Sequence, residues 1–352
     1  MRSTLTERLG IEHPVIQAPM NWATDARLVA AVSAAGGLGT LGPNAGATEP
    51  STSPETTGER LREQIRQVRA RTDRPFAVNI PIGRGGMRVF SDRAVQVVCE
   101  ERVPIVFVAT GSPAVYTSTL REAGVFVVHA IAAVKHARKA EAEGVDAVVA
   151  EGFDGGGHSG FAEIPSMALV QQVVRAVNIP VIAAGGIVDG AGLVMAGAAG
   201  AQAAYMGTRF MAVEESPVHP RVKRAIVEAD DTATLSWGRT TEVARTLANR
   251  FATTFREKEL SGMPADELHA YIADYQASAN RRIGGVIEGD LDEGEIYMGV
   301  GAGLIDEILT SAEVIHGSVA QAQAIAAGLD TVWNAGRRQR TGGWFPQGDA
   351  AE

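Results

Sequence analysis

The sequence predicts an α/β fold, a (β/α)8 barrel that carries a smaller α-helical insertion domain after its eighth strand. Short apolar runs alternate with amphipathic stretches over the first 210 residues. The runs are apolar throughout instead of at every second residue, which is typical of parallel strands covered on both faces. Eight strand-helix units follow one another at intervals of about 25 residues, which favours a closed barrel. An open, doubly wound sheet is the alternative.

The predicted strands are eight apolar runs, at 14–17, 39–41, 76–80, 105–108, 125–128, 147–150, 181–184 and 203–206. Amphipathic stretches with a helical period lie between them, for example at 26–35, 57–70, 133–143 and 167–177. This alternation of strand and helix is the pattern expected of a parallel sheet.

A change of composition after Phe210 predicts the insertion. From 216 to about 277 the chain is charged, helical in period and poor in strand signals, and glycines return near Tyr297. An amphipathic stretch at 319–327 then supplies the eighth barrel helix. We therefore expect a barrel from 1–212 plus 300–340, a helical insertion on the substrate side at 213–299 and a flexible tail at 341–352.

Composition excludes several classes of protein. The 352 residues exceed the ~250 of a simple barrel and leave room for the insertion. A net charge of −9 without a basic run argues against nucleic-acid binding. The single cysteine, Cys99, excludes an internal disulfide and a cysteine-rich metal site. With no export leader and no apolar run of ~18 residues, we expect a cytoplasmic protein without a membrane partner.

The glycine-rich segment from Glu151 to Gly160 is the strongest sign of an active site. It follows a predicted buried strand, and barrel enzymes place their chemistry at the carboxyl ends of the strands. Glycines let a ligand approach the backbone, so His158, which lies among them, can face a bound molecule. An imidazole at this place suits a general base, because its pKa lies near working pH. Glu151 and Asp154 are candidates for orienting it or for forming the turn.

Glycine loops after the seventh and eighth strands predict a phosphate site. Ala184, Gly185 and Gly186 end one strand, and Gly207 and Thr208 follow the other. Backbone N–H groups at these two loops commonly hold phosphate in barrels. Arg209 could bind phosphate or pair with a nearby glutamate, and both readings stay open.

Three further strand ends offer weaker candidates. After the first strand, Ala18, Pro19, Met20 and Trp22 could cover a planar ligand. After the third, Asn79 offers an amide to a heterocycle edge or simply forms a turn. After the fifth, His129 faces the pocket or, as we prefer, lies satisfied below it.

Other motifs are rejected or missing. The segment from Gly37 to Gly42 fits G-x-G-x-x-G, but it follows a helix and contains a strand, which is the wrong context for dinucleotide binding. The histidines are scattered, so we expect no metal site. No Gly-x-Ser-x-Gly elbow is present.

At these residues the chain resembles the nitronate monooxygenase (2-nitropropane dioxygenase) family of flavoproteins, from about Leu9 to Gly328. The matching segments are HPVIQAPM at 13–20, AAGGLG at 34–39, VN at 78–79, GFDGGGHSG at 152–160, IAAGGI at 182–187 and MGTRF at 206–210. The resemblance implies a (β/α)8 barrel with non-covalent FMN. The family also includes FMN-dependent enoyl-ACP reductases and NADH:quinone reductases.

The resemblance also implies roles for individual residues. Gly185, Gly186, Gly207 and Thr208 would hold the FMN phosphate, and Ala18, Met20 and Asn79 would line the flavin ring, with Pro19, Gly157 and Ala184 beside them. His158 matches the active-site histidine, which takes the acidic proton or steadies a developing anion. Substrate-side candidates are Trp22, His129, Ser159, Tyr297 and Met298.

The first functional expectation is an FMN-dependent oxidation of alkyl nitronates with O2, in which His158 is the catalytic base. The alternative keeps FMN, takes hydride from NADH or NADPH and reduces an enoyl thioester or a quinone. Segments 182–189 and 149–152 are similar to the enoyl reductases, and 17–22, 163–165 and 297–305 to the quinone reductases. The chain departs from the nitronate monooxygenases at Asp154 to Gly157, and from the quinone reductases at Ala130, where they carry lysine.

A flavin-free isomerase or lyase of a sugar phosphate is the third reading. It would use the same glycine loops, but no lysine or carboxylate set for such chemistry stands at several strand ends. In every reading the partner is a small-molecule substrate, and a homodimer stays open.

Overall fold

The computed structural model describes residues 3–83, 85–240, 242–277 and 280–338. The predicted tail at 341–352 lies outside these residues. Eight parallel strands form a TIM barrel, as the sequence predicts. In sheet order β1 is followed by β9, β8, β6, β5, β4, β3 and β2, and a parallel bridge between Ile16 and Leu38 closes the ring.

The barrel strands are β1 (Val15–Gln17), β2 (Gly39–Leu41), β3 (Phe76–Pro81), β4 (Ile105–Ala109), β5 (Phe126–Ile131), β6 (Ala147–Glu151), β8 (Val181–Ala184) and β9 (Ala203–Met206). Three strands lie outside the barrel: β7 (Gly157–His158), β10 (Thr234–Trp237) and β11 (Ala244–Leu247). All eight predicted apolar runs coincide with barrel strands, since continuous burial needs continuous apolar sequence.

The helices of the barrel half are α1 (Thr4–Leu9), α2 (Ala26–Ala34), α3 (Pro54–Arg69), α4 (Arg88–Glu100), α5 (Thr117–Glu122), α6 (Val134–Ala142), α7 (Ser166–Val174), α8 (Gly190–Ala198) and α9 (Thr208–Met211). The remaining helices are α10 (Pro220–Val227), α11 (Arg250–Leu260), α12 (Ala265–Ala277), α13 (Arg281–Val286) and α14 (Ser311–Arg338). Helix α14 packs against α8 and α2 and so occupies the place of the eighth barrel helix.

Two layers of apolar side chains build the core. Inside the barrel, Phe107 and Tyr205 meet with ring centroids 5.2 Å apart, among buried aliphatic residues such as Val149 and Ile182. Outside the strands, a larger cluster fills the space between the sheet and helices α2 to α8. The barrel interior is therefore packed, and ligand access is limited to its ends.

The insertion is not purely helical, which corrects the sequence prediction. Strands β10 and β11 form an antiparallel pair, and β11 also pairs with β7, the segment that carries His158. Trp237 of β10 packs against Phe251 and Phe255 of α11. Both strands are only four residues long, and β11 alternates buried and half-buried positions, so neither gave an apolar run. The insertion boundaries of 213–299 remain a prediction.

None of the described helices is long and apolar enough to cross a lipid bilayer.

Candidate active site

A cavity of about 730 Å3 lies at the carboxyl ends of the barrel strands. It brings together residues that are far apart in the chain. All ten candidates for cofactor binding line it: Ala18, Pro19, Met20, Asn79, Gly157, Ala184, Gly185, Gly186, Gly207 and Thr208. Among the other candidates, His158, His129, Ser159 and Tyr297 line it as well.

One end of the cavity is built to receive an anion. Gly185 and Gly186 have φ values of +102° and +72°, which turn their peptide groups after β8. The N–H groups of Gly185, Gly186 and Thr208 have no acceptor within the part of the chain that the structure describes. The Thr208 hydroxyl accepts from the Gly299 N–H at 3.0 Å, which leaves its own hydrogen free to donate. Unpaired N–H groups and a hydroxyl are donors that suit a phosphate.

Another part of the cavity lining offers flat and small surfaces beside one amide. Ala18 and Met20 follow β1, and a Cβ added at Gly207 would meet only the Ala18 Cβ, at 3.8 Å. The Asn79 amide nitrogen donates to the Phe107 carbonyl at 3.0 Å. Its carbonyl oxygen therefore remains available to accept a hydrogen bond from a heterocycle.

His158 is placed by the insertion as well as by the barrel. Strand β7 leaves the top of β6 and pairs with β11, where His158 lies opposite Ala244. Tyr297 is bridged to Thr246 further along the same strand. Because His158 and Tyr297 both pair with β11, they lie side by side, with ring centroids 5.4 Å apart.

Both nitrogens of the His158 imidazole have a polar neighbour. Nδ1 lies 3.4 Å from the Tyr297 hydroxyl, and Nε2 lies 3.4 Å from a carboxylate oxygen of Glu242. The His158 side chain is 33% exposed, so it is anchored and still reachable from the cavity. These contacts are long, as is common for catalytic hydrogen bonds before substrate binds.

Beside Tyr297 lies an ion pair whose two partners also line the cavity. The Arg282 guanidinium donates to both carboxylate oxygens of Glu295, at 2.9 and 3.2 Å, and Glu295 is 1% exposed. Burial and the charge of Glu295 raise the pKa of Tyr297 well above its usual value. Burial works to lower the pKa of Arg282, but the charge of Glu295 and the hydrogen bonds to its carboxylate outweigh burial and raise that pKa. Arg282 therefore remains a cation and Tyr297 a phenol.

Glu151 reaches the cavity from the end of β6. Burial raises the pKa of its carboxyl to about 7. Burial and the charge of Glu151 together raise the pKa of the neighbouring Tyr205. The floor of the cavity thus holds a carboxyl group that is partly protonated at neutral pH.

His129 lines the cavity but is 3% exposed. Burial, and to a lesser degree the charge of His136, lowers its pKa to about 4, so its imidazole is neutral. Its Nδ1 has no hydrogen-bond partner among the described residues, so our preference for a satisfied histidine is wrong in this detail. Towards the mouth, the exposed His136 and Lys139 of α6 also line the cavity.

Three residues from the sequence analysis lie elsewhere. Trp22 and Met298 are 5% and 1% exposed and pack in the apolar cluster beside the insertion, outside the cavity lining. Arg209 is buried and donates to the carbonyls of Ala212 and Glu307, at 2.7 and 2.8 Å. It therefore serves to fix the backbone, lies outside the cavity lining, and pairs with no carboxylate among the described residues.

Sequence reasoning missed Glu242, Arg282 and Glu295. The Glu295-Ile296-Tyr297 segment did carry a signal, because side chains two apart in an extended segment share a face. Glu242 and Arg282 carried no signal in the sequence, since only the tertiary fold brings them into contact with His158 and Glu295. Among the described residues, no group of three or more metal-ligating side chains comes together.

A family model described as nitronate monooxygenase matches residues 2–88 and 82–320. The chain belongs to the nitronate monooxygenase family. A nitronate monooxygenase of Paraburkholderia phytofirmans is 31% identical over 89% of this chain and 93% of that protein.

Two curated relatives carry a different name, (3aS,4S,5R,7aS)-5-hydroxy-7a-methyl-1-oxo-octahydro-1H-indene-4-carboxyl-CoA dehydrogenase. The protein from Mycobacterium tuberculosis is 41% identical over 65% of this chain, and that from Rhodococcus jostii is 38% identical over 63%. The matched segments span only 61% and 59% of those two relatives.

Solved structures extend the likeness to the whole fold. FabK from Thermotoga maritima superposes with a TM-score of 0.83 at 38% identity, over 94% of this chain and 99% of that one. A nitroalkane oxidase from Streptomyces ansochromogenes superposes with a TM-score of 0.78 at 29% identity, over 93% of this chain and 100% of that one.

Proposed function

We propose that the chain is an FMN-dependent oxidoreductase in which His158 handles the proton of the substrate. One observation carries the proposal: unpaired N–H groups, flat surfaces, an amide acceptor and an anchored imidazole line a single cavity. The residues present fit FMN, because Gly185, Gly186 and Thr208 offer donors to its phosphate and Asn79 offers an acceptor to its ring. Bound FMN supplies the two-electron redox chemistry that amino-acid side chains lack.

The residues of the chain supply orientation and acid–base chemistry. The glycine loops would hold the FMN phosphate, and Ala18, Met20 and Asn79 would line its ring. His158 takes a proton from a carbon acid, or stabilises the anion that remains, on the side of the cavity that faces the insertion. Glu242 lies against Nε2 and stabilises the imidazolium that results.

Alkyl nitronates, with O2 as oxidant, are the first substrate class that we propose. The family match supports this class. So does the curated nitronate monooxygenase, because the alignment covers 93% of that protein. A nitronate is a small anion, and an imidazolium at His158 complements its charge.

The test compares His158→Ala with His269→Ala, which changes an exposed histidine on α12. Both variants are loaded with FMN, and oxygen uptake with propyl-2-nitronate is measured. We expect His158→Ala to lose about 100-fold or more in turnover, because it lacks the imidazolium that complements the charge of the nitronate, and His269→Ala to match wild type. Full turnover in flavin-loaded His158→Ala would remove His158 from the mechanism. A colourless protein that takes up no FMN would instead favour the flavin-free barrel.

A second candidate is the reduction of an enoyl thioester, with NADH or NADPH as the reductant of FMN, or the reverse dehydrogenation of an acyl thioester, with NAD+ or NADP+ as the oxidant. The named CoA dehydrogenases among the relatives support it. Lys139 at the cavity mouth supports it as well. This lysine has no ion pair among the described residues, so its ammonium group can pair with a phosphate group of the substrate. Quinone reduction would use the same reductants.

One anaerobic spectrum separates the two candidates. If NADH or NADPH bleaches the flavin band, the reductase reading is favoured and enoyl thioesters and quinones are then tried as acceptors. If both nucleotides leave the band unchanged and propyl-2-nitronate bleaches it, the nitronate reading stands.

A further inference from the structure

Helix α6 concentrates positive charge on the surface of an acidic protein. The chain as a whole has a net charge of −9. Within α6, the basic and exposed residues are Lys135, His136, Arg138 and Lys139. None of its lysine and arginine side chains forms an ion pair within the part of the chain that the structure describes. The carboxylate of Glu141, on the same helix, already accepts a backbone N–H at 2.6 Å. These cations are therefore available to an anionic ligand.

The first turn of α6 adds unpaired backbone donors. Ala133 stands at the N-cap position with an extended backbone, and its methyl group offers no oxygen to the N–H groups that follow. The N–H groups of Val134 and Lys135 have no acceptor among the described residues. The helix dipole places partial positive charge at the same end, so an anion is favoured there.

This end of α6 belongs to the wall of the active-site cavity. His136 and Lys139 line the cavity, as does Ala132, which lies just before the helix. The loop after β7 packs onto the same corner, because a Cβ added at Gly160 would lie 2.6 Å from the Ala132 Cβ. The cavity thus extends from His158 to the beginning of α6.

Two polar atoms in this part of the cavity wall lack partners. His129 precedes α6 at the end of β5 and is 3% exposed, and its Nδ1 has no hydrogen-bond partner among the described residues. The hydroxyl of Ser159, beside the loop that reaches Ala132, has none there either. Both residues line the cavity. Buried polar atoms are normally paired, so two unpaired ones in one wall indicate a bound partner.

We propose that the first turn and the cavity side of α6 form a second anion subsite, which binds a phosphate group of a nucleotide-type substrate whose reacting end lies at His158. CoA thioesters and nicotinamide dinucleotides share this phosphate chemistry. The inference rests on the proposed FMN-dependent function and deepens it, because it names the group by which a large substrate is held. The subsite is separate from the glycine loops after β8 and β9. An alkyl nitronate, which has no phosphate, would leave it unused.

Titration calorimetry of the FMN-loaded protein with CoA and, separately, with NADP+ measures the subsite without turnover. We expect at least one ligand to bind, and salt at about 0.3 M to weaken its binding, since contacts with exposed cations are screened. Lys139→Gln should raise the Kd of that ligand by about 3- to 10-fold. Arg138→Gln is the matched control. It removes the same charge from a residue outside the cavity lining and should change Kd by less than about twofold.

Ala133→Asp tests the helix terminus. The extended backbone at this position suits a capping aspartate, so the thermal unfolding temperature should not fall. The new carboxylate would accept from the free N–H groups and repel a phosphate, so Kd should rise by about 10-fold or more. Weaker binding by a protein of undiminished stability cannot result from unfolding.

The outcomes identify the source of the phosphate and separate this inference from the proposed function. Weaker binding of CoA in Lys139→Gln and Ala133→Asp would identify an acyl thioester, and weaker binding of NADP+ a nicotinamide dinucleotide. The inference is overturned if wild type binds neither ligand, if either variant keeps wild-type affinity, or if Arg138→Gln weakens binding as much as Lys139→Gln. A protein that takes up no FMN would instead overturn the proposed function.

Discussion

The backbone at Gly185 connects single-residue geometry with cofactor binding. Residues with a Cβ rarely adopt its φ of +102°, and an added Cβ would lie 2.3 Å from the Ser166 Oγ. The neighbouring backbone atoms of Gly152 and Gly155 are 3.2 Å away, so the loop has no room to yield. The peptide groups that offer N–H donors to a phosphate thus depend on glycine.

Gly185→Ala should therefore lower the free energy of unfolding by about 1–3 kcal/mol and weaken FMN binding. Gly197→Ala in α8 is the matched control, because nothing lies within 4 Å of its added Cβ and its φ is ordinary. There the same substitution should stabilise the helix by about 0.5–1 kcal/mol. Urea unfolding and FMN titration of both variants check this. Equal FMN affinity in the two would show that Gly185 has no part in the phosphate site.

Among the elements, α11 and the loop 290–294 that leads to Glu295 are joined by one side chain. Asn249 caps α11 by accepting from the Ala252 N–H, and its amide donates to the carbonyls of Leu291 and Gly294 at 3.0 and 2.8 Å. The position of the Glu295–Tyr297 segment beside His158 therefore depends on the end of a helix in the insertion.

Asn249→Ala should cost about 2 kcal/mol of stability, since a cap and two carbonyl partners are lost together. It should also slow the reaction, because Glu295 and Tyr297 lose their anchor. Ser53→Ala is the control: it removes the cap of α3, where the hydroxyl accepts from the Thr56 N–H, and should cost about 1 kcal/mol without changing turnover. If both variants keep full turnover, α11 does not position the site.

Single residues and secondary-structure elements also explain which parts of the structure the sequence could predict. The eight barrel strands were recognisable because each is buried on both faces and therefore consists of consecutive apolar residues. The loop after β8 was recognisable because positive φ values favour glycine, as at Gly185 and Gly186. Both signals are local.

The insertion side of the site was not recognisable, because its signals are not local. Pairing of β7 with β11 joins His158 to Ala244, and no periodicity in either segment encodes the other. Arg282 and Glu295 look like ordinary charged residues until the fold buries them against Tyr297. Trp22, chosen for its flat ring, instead fills the core, because an indole gains more from burial than from facing a cavity.

For the whole molecule, the buried carboxyl of Glu151 links stability to pH. Its pKa is 4.5 in an unfolded chain and about 7 in the folded protein, so it ionises more easily when the chain unfolds. Folding stability is therefore lost as the pH rises from about 4.5 towards 7, and the loss persists at higher pH. His129 has the opposite effect, since its pKa falls from 6.5 to about 4 on folding and stability is lost as the pH falls through that range.

Glu151→Gln isolates the first effect, because the amide keeps the shape of the carboxyl and cannot ionise, while His129 is present in both proteins. Near pH 8 the variant should be more stable than wild type by at most about 3 kcal/mol, and by less where cavity water reaches the carboxylate. Near pH 4.5 the two should be alike. Thermal unfolding at both pH values measures this, with Glu122→Gln on the exposed surface of α5 as the control. A constant difference between wild type and Glu151→Gln at both pH values would mean that folding leaves the pKa of Glu151 near 4.5, and the cavity floor would then present a negative charge to FMN at neutral pH.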